Sequence, residues 1–416
     1  MTAGEKRRVV VTGLGVATAL GFDEQSLWSN LLAGRCGIRR IANIDVAGCR
    51  TTVGSEIDNA DLAQALAAEQ LAPSDRLLDF ALLAAGQALR QAGLIGAGPH
   101  FAPGDAGVIF GTGAGFCHGT YETYLAFAQK GARGPRPSAV PRCMANALSA
   151  QLSMHFRLLG PNYVIVCACT SATTAIGTAF RLVRDGEADA VLCGGAEAIF
   201  DAATFAAWNN LGVMSRNPDP LRACRPFDAA RDGCVLGEGA AALLVESLDG
   251  ARRRGARIRA EISGYGESSD AEHMTRPSIA GQARAMRAAL ASAGLSPADI
   301  GFINAHGTAT RANDTCESAS IRAALGSAAE RVPVASNKSF FGHLLGACGA
   351  AETVVAILGL EQGKVPPNLN LETPDPECNL RLVGAAALDL PASVVMKNSF
   401  GFGGSNAVLI LRRWEP

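Results

Sequence analysis

Apolar residues fall along this chain in two alternating rhythms. Short apolar runs at Arg8–Thr12, Ala106–Phe110, Tyr163–Ala168, Ala190–Cys193, Ile300–Ala305, Val332–Ser336, Val394–Asn398 and Ala407–Leu411 read as strands. Asp75–Gln91 carries apolar residues at helical spacing, and Thr173–Val183 and Ala347–Leu360 read as further helices. Gly13-Leu14-Gly15 reads as a turn after the first strand, and Gly111–Gly115 as the loop after the second. Strand–helix alternation of this kind predicts an α/β layered fold.

Val9–Gly15 (VVVTGLG) and Ile262–Gly266 (ISGYG) look like equivalent opening strands of two halves. The basic stretch Arg252–Arg259 lies between them, and the boundary is placed near residue 250, giving halves 1–250 and 251–416. No low-complexity linker separates them, so they are expected to pack together. At 416 residues the chain is too long for one ordinary core, which fits two domains or one duplicated unit.

Composition excludes several classes. Hydrophobic residues make up 48% and charged ones 18%, a globular balance. A net charge of −1 gives no general attraction to nucleic acid or to a membrane surface. Twelve cysteines are scattered without a framework, which suits reduced thiols in the cytoplasm. Lys6-Arg7-Arg8 and the apolar run after it mimic a leader, but the run is broken by glycine and soon meets Asp23 and Glu24, so a first strand is expected. No stretch approaches the roughly 20 apolar residues of a membrane span. Gly13-x-Gly15 and Gly113-x-Gly115 lack the third glycine of a dinucleotide loop, with Thr18 and His118 at that offset. Cys167-x-Cys169 has no companion pair at metal spacing, so neither a metal nor a redox cofactor is expected.

Chemistry concentrates where strands break into small residues. In Val164–Ala172 (VIVCACTSA) a strand runs into a turn and then a helix, which places Cys169 near a helix N-terminus. The macrodipole there favours a thiolate, and a sharp turn exposes a nucleophile above the sheet. A buried inert cysteine fits the same residues. Cys167 is the competing thiol and is expected in the core. His306, in Asn304–Thr310 (NAHGTAT), is delivered to a loop whose small hydroxyl residues suit an extended polar ligand. Lys338 and His343 lie in NKSFFGHLLG, again between a strand and a helix, where a surface lysine and a capping histidine are the plain alternative. Asp314 and Glu317 follow His306 at a helix start, and either can pair with Lys338. Gly401-Phe402-Gly403-Gly404 links two strands and either presents N–H groups to an oxyanion or forms a simple hairpin. Together these residues suggest thiol-based acyl chemistry without naming the reaction.

At these residues the sequence resembles the elongating β-ketoacyl-[acyl-carrier-protein] synthases of the thiolase superfamily. The resemblance runs from RRVVVTGLG to NSFGFGGSN and is carried by ACTSA, NAHGTAT, NKSFFGHLLGACGA and NSFGFGG, with support from RPFDAARDGCVLGEGA (Arg225–Ala240). It implies a thiolase-like duplicated α-β-α-β-α layered fold and a dimeric working unit. It implies that Cys169 accepts an acyl group from the phosphopantetheine of an acyl carrier protein, and that a malonyl extender then loses CO2 and attacks the thioester. His306 and His343 would hydrogen-bond the extender thioester oxygen. The N–H groups of Cys169 and Phe402 would form an oxyanion hole, flanked by Gly401 and Gly403. Lys338, paired with Glu317, would hold the histidines. Thr308 and Thr310 match positions that contact the pantetheine arm, Phe400 belongs to the substrate site, and Phe402 matches a gate. No cofactor is implied beyond the pantetheine that the substrate carries.

The C-terminal glycine loop has no second cysteine, as a thiolase would, and the third catalytic position is His343, not the asparagine of initiating synthases. Ala114 stands where housekeeping relatives carry a bulky aliphatic residue, and Trp208 where a smaller aromatic is typical. Cys167 replaces a small or hydroxyl residue, and basic residues are fewer around Arg76-Leu77 and Gly212. These departures imply a specialised polyketide or polyene pathway over plain fatty-acid synthesis, as a homodimer or with a chain-length-factor-like subunit. A non-catalytic, tunnel-shaping subunit is the alternative; the intact Cys169, His306 and His343 stand against it.

Overall fold

A computed structural model of the protein describes residues 6–95 and 106–415. Its first half runs β1 (Val9–Thr18), α1 (Arg76–Gln91), β2 (Ala106–Gly111), α2 (Cys117–Lys130), α3 (Ala147–Phe156), β3 (Asn162–Ile165), α4 (Ser171–Arg184), β4 (Ala190–Glu197), α5 (Ala202–Leu211) and β5 (Gly239–Ser247). Its second runs β6 (Ala260–Ser269), α6 (Ile279–Ala293), β7 (Phe302–Asn304), α7 (Arg311–Leu325), β8 (Pro333–Ala335), α8 (Cys348–Gln362), β9 (Val394–Gly401) and β10 (Ser405–Arg413).

The strand order repeats. In the first half β1 pairs antiparallel with β5, β5 antiparallel with β4, β4 parallel with β2, and β2 parallel with β3. In the second half β6, β10, β9, β7 and β8 follow the same sequence of directions. The halves join where Val9–Val11 of β1 pair antiparallel with Ala260–Ile262 of β6, and the short strand Arg381–Leu382, parallel to β8, completes a continuous 11-stranded sheet.

Helices α4 and α8 lie between the two halves of this sheet. Helix α4 packs on β2 and β4 of the first half and on β6 and β10 of the second, while α8 packs on β4, β5, β9 and β10. Outside them, α1 and α3 cover the first half and α6 covers the second, with α7 against α6. The layers are therefore α-β-α-β-α, the thiolase-like arrangement that the resemblance implied.

Two expectations are corrected. Gly13-Leu14-Gly15 is not a turn: β1 continues to Thr18, with a bulge between Val11 and Gly13. A Cβ on Gly13 would lie 2.0 Å from the Ala88 carbonyl oxygen, and one on Gly15 1.9 Å from that of Ala84, so these glycines let α1 settle onto the strand. Leu345–Gln362 is long and apolar enough by composition to cross a membrane, and 83% of it is buried inside the protein. Its hydropathy comes from packing between the two halves of the sheet, where most of the helix is shut off from water.

Candidate active site

Strand β3 ends at Ile165, earlier than its apolar run suggests, because the chain turns sharply before Cys169. Ala168 adopts φ +50°, a left-handed conformation costly for alanine. A single 3-10 turn, Ala168–Thr170, then leads into α4. Hydrogen bonds hold this elbow: Thr170 Oγ1 donates to the Cys167 carbonyl at 2.8 Å, Ser171 Oγ donates to the Ala168 carbonyl at 2.6 Å, and the Cys167 N–H donates to Ser171 Oγ at 2.9 Å. Cys169 is buried at the head of the turn, while Cys167 is only half-buried and is not the core residue expected.

His343 Nε2 lies 3.0 Å from Cys169 Sγ. The His306 ring stands nearly perpendicular to that of His343, at 83° with centroids 5.4 Å apart. The tautomers follow from what faces each Nδ1. The Leu345 N–H donates to His343 Nδ1 at 3.2 Å, and the Cys348 thiol lies 3.1 Å from the same atom. The Leu344 N–H donates to Cys348 Sγ, which leaves that S–H for the imidazole. His306 Nδ1 faces the Lys338 ammonium at 3.4 Å. Both Nδ1 atoms are therefore acceptors, and both Nε2 atoms carry the hydrogen. Burial first, and then the charge of Lys338, hold both imidazoles well below the usual histidine range, so they are neutral donors.

Cys169 departs from the dipole argument. Burial pushes its thiol up to about 12, against the opposing pull of Lys338 and of the Phe402 and Cys169 N–H groups. Those two N–H groups converge on the sulfur because Gly401 lets the chains approach: a Cβ there would lie 3.2 Å from the Cys169 nitrogen. Cys169 Sγ and one nitrogen from each histidine lie within 4.8 Å of one another, near enough by distance to hold a metal ion. Hydrogens on both Nε2 atoms and the adjacent Lys338 ammonium oppose a cation there.

The pairing of Lys338 is corrected. Its Nζ ion-pairs with Glu352 in α8 at 2.5 Å and donates to the His306 carbonyl at 2.5 Å. Glu317 instead accepts the His306 and Gly307 N–H groups, each at 2.8 Å, and the Asn398 side-chain amide at 3.2 Å. Asp314 accepts the Phe227 N–H and pairs with Arg231. Glu352 also binds Lys397 of β9 through its other oxygen, at 2.8 Å. A further buried carboxylate, Glu197, accepts the N–H groups of Gly113, Ala114 and Gly346, tying the Gly111–Gly115 loop to the segment after His343. Burial raises Glu197 to about 7. Glu352 and Lys397 were hidden within apolar runs, and the signal that reveals them is a charge where the pattern requires none.

Cys169, His306 and His343 line a cavity with Trp208, Thr308, Thr310, Phe400, Gly401 and Phe402. Thr308 and Thr310 hydrogen-bond each other at 2.8 Å, and Thr310 caps α7. Ala309 between them and Leu345 beside His343 both have positive φ, so strained backbone flanks the site on two sides. Gly403 takes φ +80° and donates its N–H to the Met274 carbonyl, shaping the turn without lining the cavity. Ala114 does not line it either; it is exposed on the loop that Glu197 holds.

Residues 6–251 match the β-ketoacyl synthase N-terminal domain, and residues 259–372 match the β-ketoacyl synthase C-terminal domain. The 3-oxoacyl-[acyl-carrier-protein] synthase 2 of Synechocystis sp. is 40% identical over 414 residues, which covers 99% of each chain. Among solved structures, the ishigamide ketosynthase/chain length factor aligns with a TM-score of 0.91 at 35% identity, over 99% of this chain and 100% of that one. A chain from the complex of a type II PKS acyl-carrier protein with its ketosynthase bound to the hexaketide aligns with a TM-score of 0.91 at 29% identity, over 99% of this chain and 100% of that one. By profile, full-length identity and fold, the chain belongs to the β-ketoacyl synthase family.

Proposed function

We propose that the protein is a ketosynthase that joins an acyl group held on Cys169 to malonyl-acyl carrier protein with loss of CO2. The observation that carries this is the Cys169 thiol 3.0 Å from a neutral His343 Nε2–H, with a second neutral imidazole at right angles. Cys169 attacks the carrier-bound thioester, the new C–S bond replaces the old one, and the thiol proton leaves with the carrier thiol. The Cys169 and Phe402 N–H groups stabilise the oxyanion formed on the way. The malonyl C–CO2 bond then breaks, and His306 and His343 donate to the thioester oxygen as the electron pair moves into an enolate. A neutral imidazole stabilises that charge without protonating the carbon early. The enolate carbon attacks the acyl-Cys169 carbonyl, and the cysteine sulfur leaves as a thiolate that takes a proton from water, to give the β-ketoacyl product and the free thiol. Lys338 and Glu352 position His306, and Thr308 and Thr310 meet the pantetheine arm at the cavity mouth. No metal or redox cofactor enters these steps.

The pathway is fatty-acid or polyketide synthesis. The flat Trp208–Phe402 stack beside Cys169 suits a planar conjugated chain and favours the polyketide or polyene branch. A second chain of the same fold, either a copy or a chain-length-factor-like subunit, is the partner. Its place is the free edge of β3, where Leu159 (80%), Tyr163 (49%) and Val166 (55%) are exposed. Twelve free thiols suit a cytoplasmic setting.

Intact-mass spectrometry after mixing with acyl carrier proteins bearing different chains tests the reaction. Acyl adducts on wild type and none on Cys169→Ala are expected, with conjugated chains preferred. No adduct from any donor, with or without a partner subunit, would leave the tunnel-shaping alternative standing.

A further inference from the structure

Lys397 sits in the interior of β9, wholly buried, and the steps above give it no part. Its Nζ reaches three elements. It pairs with Glu352 Oε2 of α8 at 2.8 Å, donates to the Asn398 carbonyl at 2.8 Å and to Ser399 Oγ in its own strand, and donates to Thr173 Oγ1 of α4 at 3.4 Å. The other oxygen of Glu352 holds Lys338, which reaches the His306 carbonyl. A single carboxylate thus bridges two ammoniums, and only one of them touches the histidine. Ionised, Lys338, Lys397, Glu352 and Glu317 sum to zero charge, whereas without Lys397 the cluster would carry −1. Burying an ammonium is costly unless it is paired and fully hydrogen-bonded, and a strand interior is otherwise filled by an apolar side chain. This ammonium sits at the junction of the elements that carry Cys169, His343 and the Phe402 loop.

We propose that Lys397 is a positioning residue that fixes the Glu352 carboxylate, and through it Lys338 and His306, for the carbanion-forming half of the condensation. The inference rests on the ketosynthase reading. Acyl transfer to Cys169 draws on the Cys169 and Phe402 N–H groups, which Lys397 does not contact. The titratable groups that contact the imidazole rings are Cys169 from the elbow, Lys338 from the segment before His343 and Cys348 from α8, while Glu317 of α7, Glu352 of α8 and Lys397 of β9 lie behind them, bound to backbone or to one another. Both histidines are held low in part by the Lys397 charge, so its loss moves them upward.

The test uses full-length K397M and K397Q beside wild type. Acylation of Cys169 is followed by intact mass, and CO2 release from malonyl-acyl carrier protein is followed on the acylated enzyme across pH. Acylation is expected to stay within about twofold, while the kcat of CO2 release falls about tenfold or more at an unchanged KM. The acid limb of CO2 release is expected to move to higher pH by about half a unit or more. An unchanged rate and limb would overturn the proposal, and so would equal loss of both half-reactions or failure of K397Q to fold, each of which makes Lys397 structural only. Absence of both half-reactions in wild type would instead defeat the ketosynthase reading, and the proposal with it.

Discussion

The Trp208 indole lies almost parallel to the Phe402 ring, with centroids 6.0 Å apart and planes 16° from each other. A stack of this kind is worth about 0.5–1.5 kcal/mol beyond the area it buries. Trp208→Ala frees Phe402 to swing over Cys169, and the rate of acyl-adduct formation is expected to change by up to about tenfold, with a broader chain preference. Time-resolved intact mass with a series of acyl donors measures both. An unchanged rate and an unchanged preference would take Trp208 out of the substrate site.

Glu352 and Glu317 are both buried carboxylates beside His306, yet they do different work. Glu352→Gln strands two ammoniums and is expected to destabilise by about 3–5 kcal/mol. Glu317→Gln keeps one side-chain oxygen as an acceptor for the loop N–H groups, so a smaller loss follows. Thermal unfolding of the two variants is expected to show the lower Tm for Glu352→Gln. The reverse order would favour the Lys338–Glu317 pairing that the resemblance implied.

That pairing shows what the sequence makes legible. Cys169, His306, Lys338 and His343 stand out because each lies where an apolar strand gives way to small residues, and the structure brings all four together. Their partners do not stand out. Glu352 and Lys397 are set by how α8 packs between the two halves of the sheet, which no local pattern encodes, so proximity to His306 along the chain offered Asp314 and Glu317 alike, and the resemblance implied Glu317. Gly13 and Gly15 mislead for the same reason: their local meaning is a turn, while their cause is the distant helix α1. The layers themselves were readable, since alternating strands and helices and the paired VVVTGLG and ISGYG segments already implied a repeat.

Both histidines are neutral in the folded protein and lie below the ordinary value of 6.5, with burial as the main cause. CO2 release by the acylated enzyme is therefore expected to stay flat as pH falls from 8 to about 6.5 and to decline only well below that. Linkage gives the same sign for stability. A histidine depressed on folding contributes fully above 6.5, and its contribution is lost as pH falls toward the folded value, because the unfolded chain then binds more protons. A decline in CO2 release centred near 6.5 would show imidazoles of ordinary basicity.

Among the described residues strand β3 is the outermost of the sheet on this side, with Tyr163 exposed in it and Val166 exposed just after it. With the proposed second chain docked here, Tyr163→Lys places a charge on this edge and is expected to weaken that pairing, read as a lower mass in sedimentation equilibrium than wild type shows. A variant that stays dimeric would move the interface elsewhere on the surface.

The joint between β1 and β6 spans only Val9–Val11 and Ala260–Ile262. Cys169 stands on one side of it, and His306, His343 and Phe402 stand on the other. A chain severed between Arg253 and Arg259 would divide the nucleophile from the two imidazoles, and it would bare the apolar faces of α4 and α8. Neither fragment would own a reaction, and activity recovered on mixing would rise with the product of their concentrations. The catalytic centre is in that sense a complex between two relatives that share one covalent backbone.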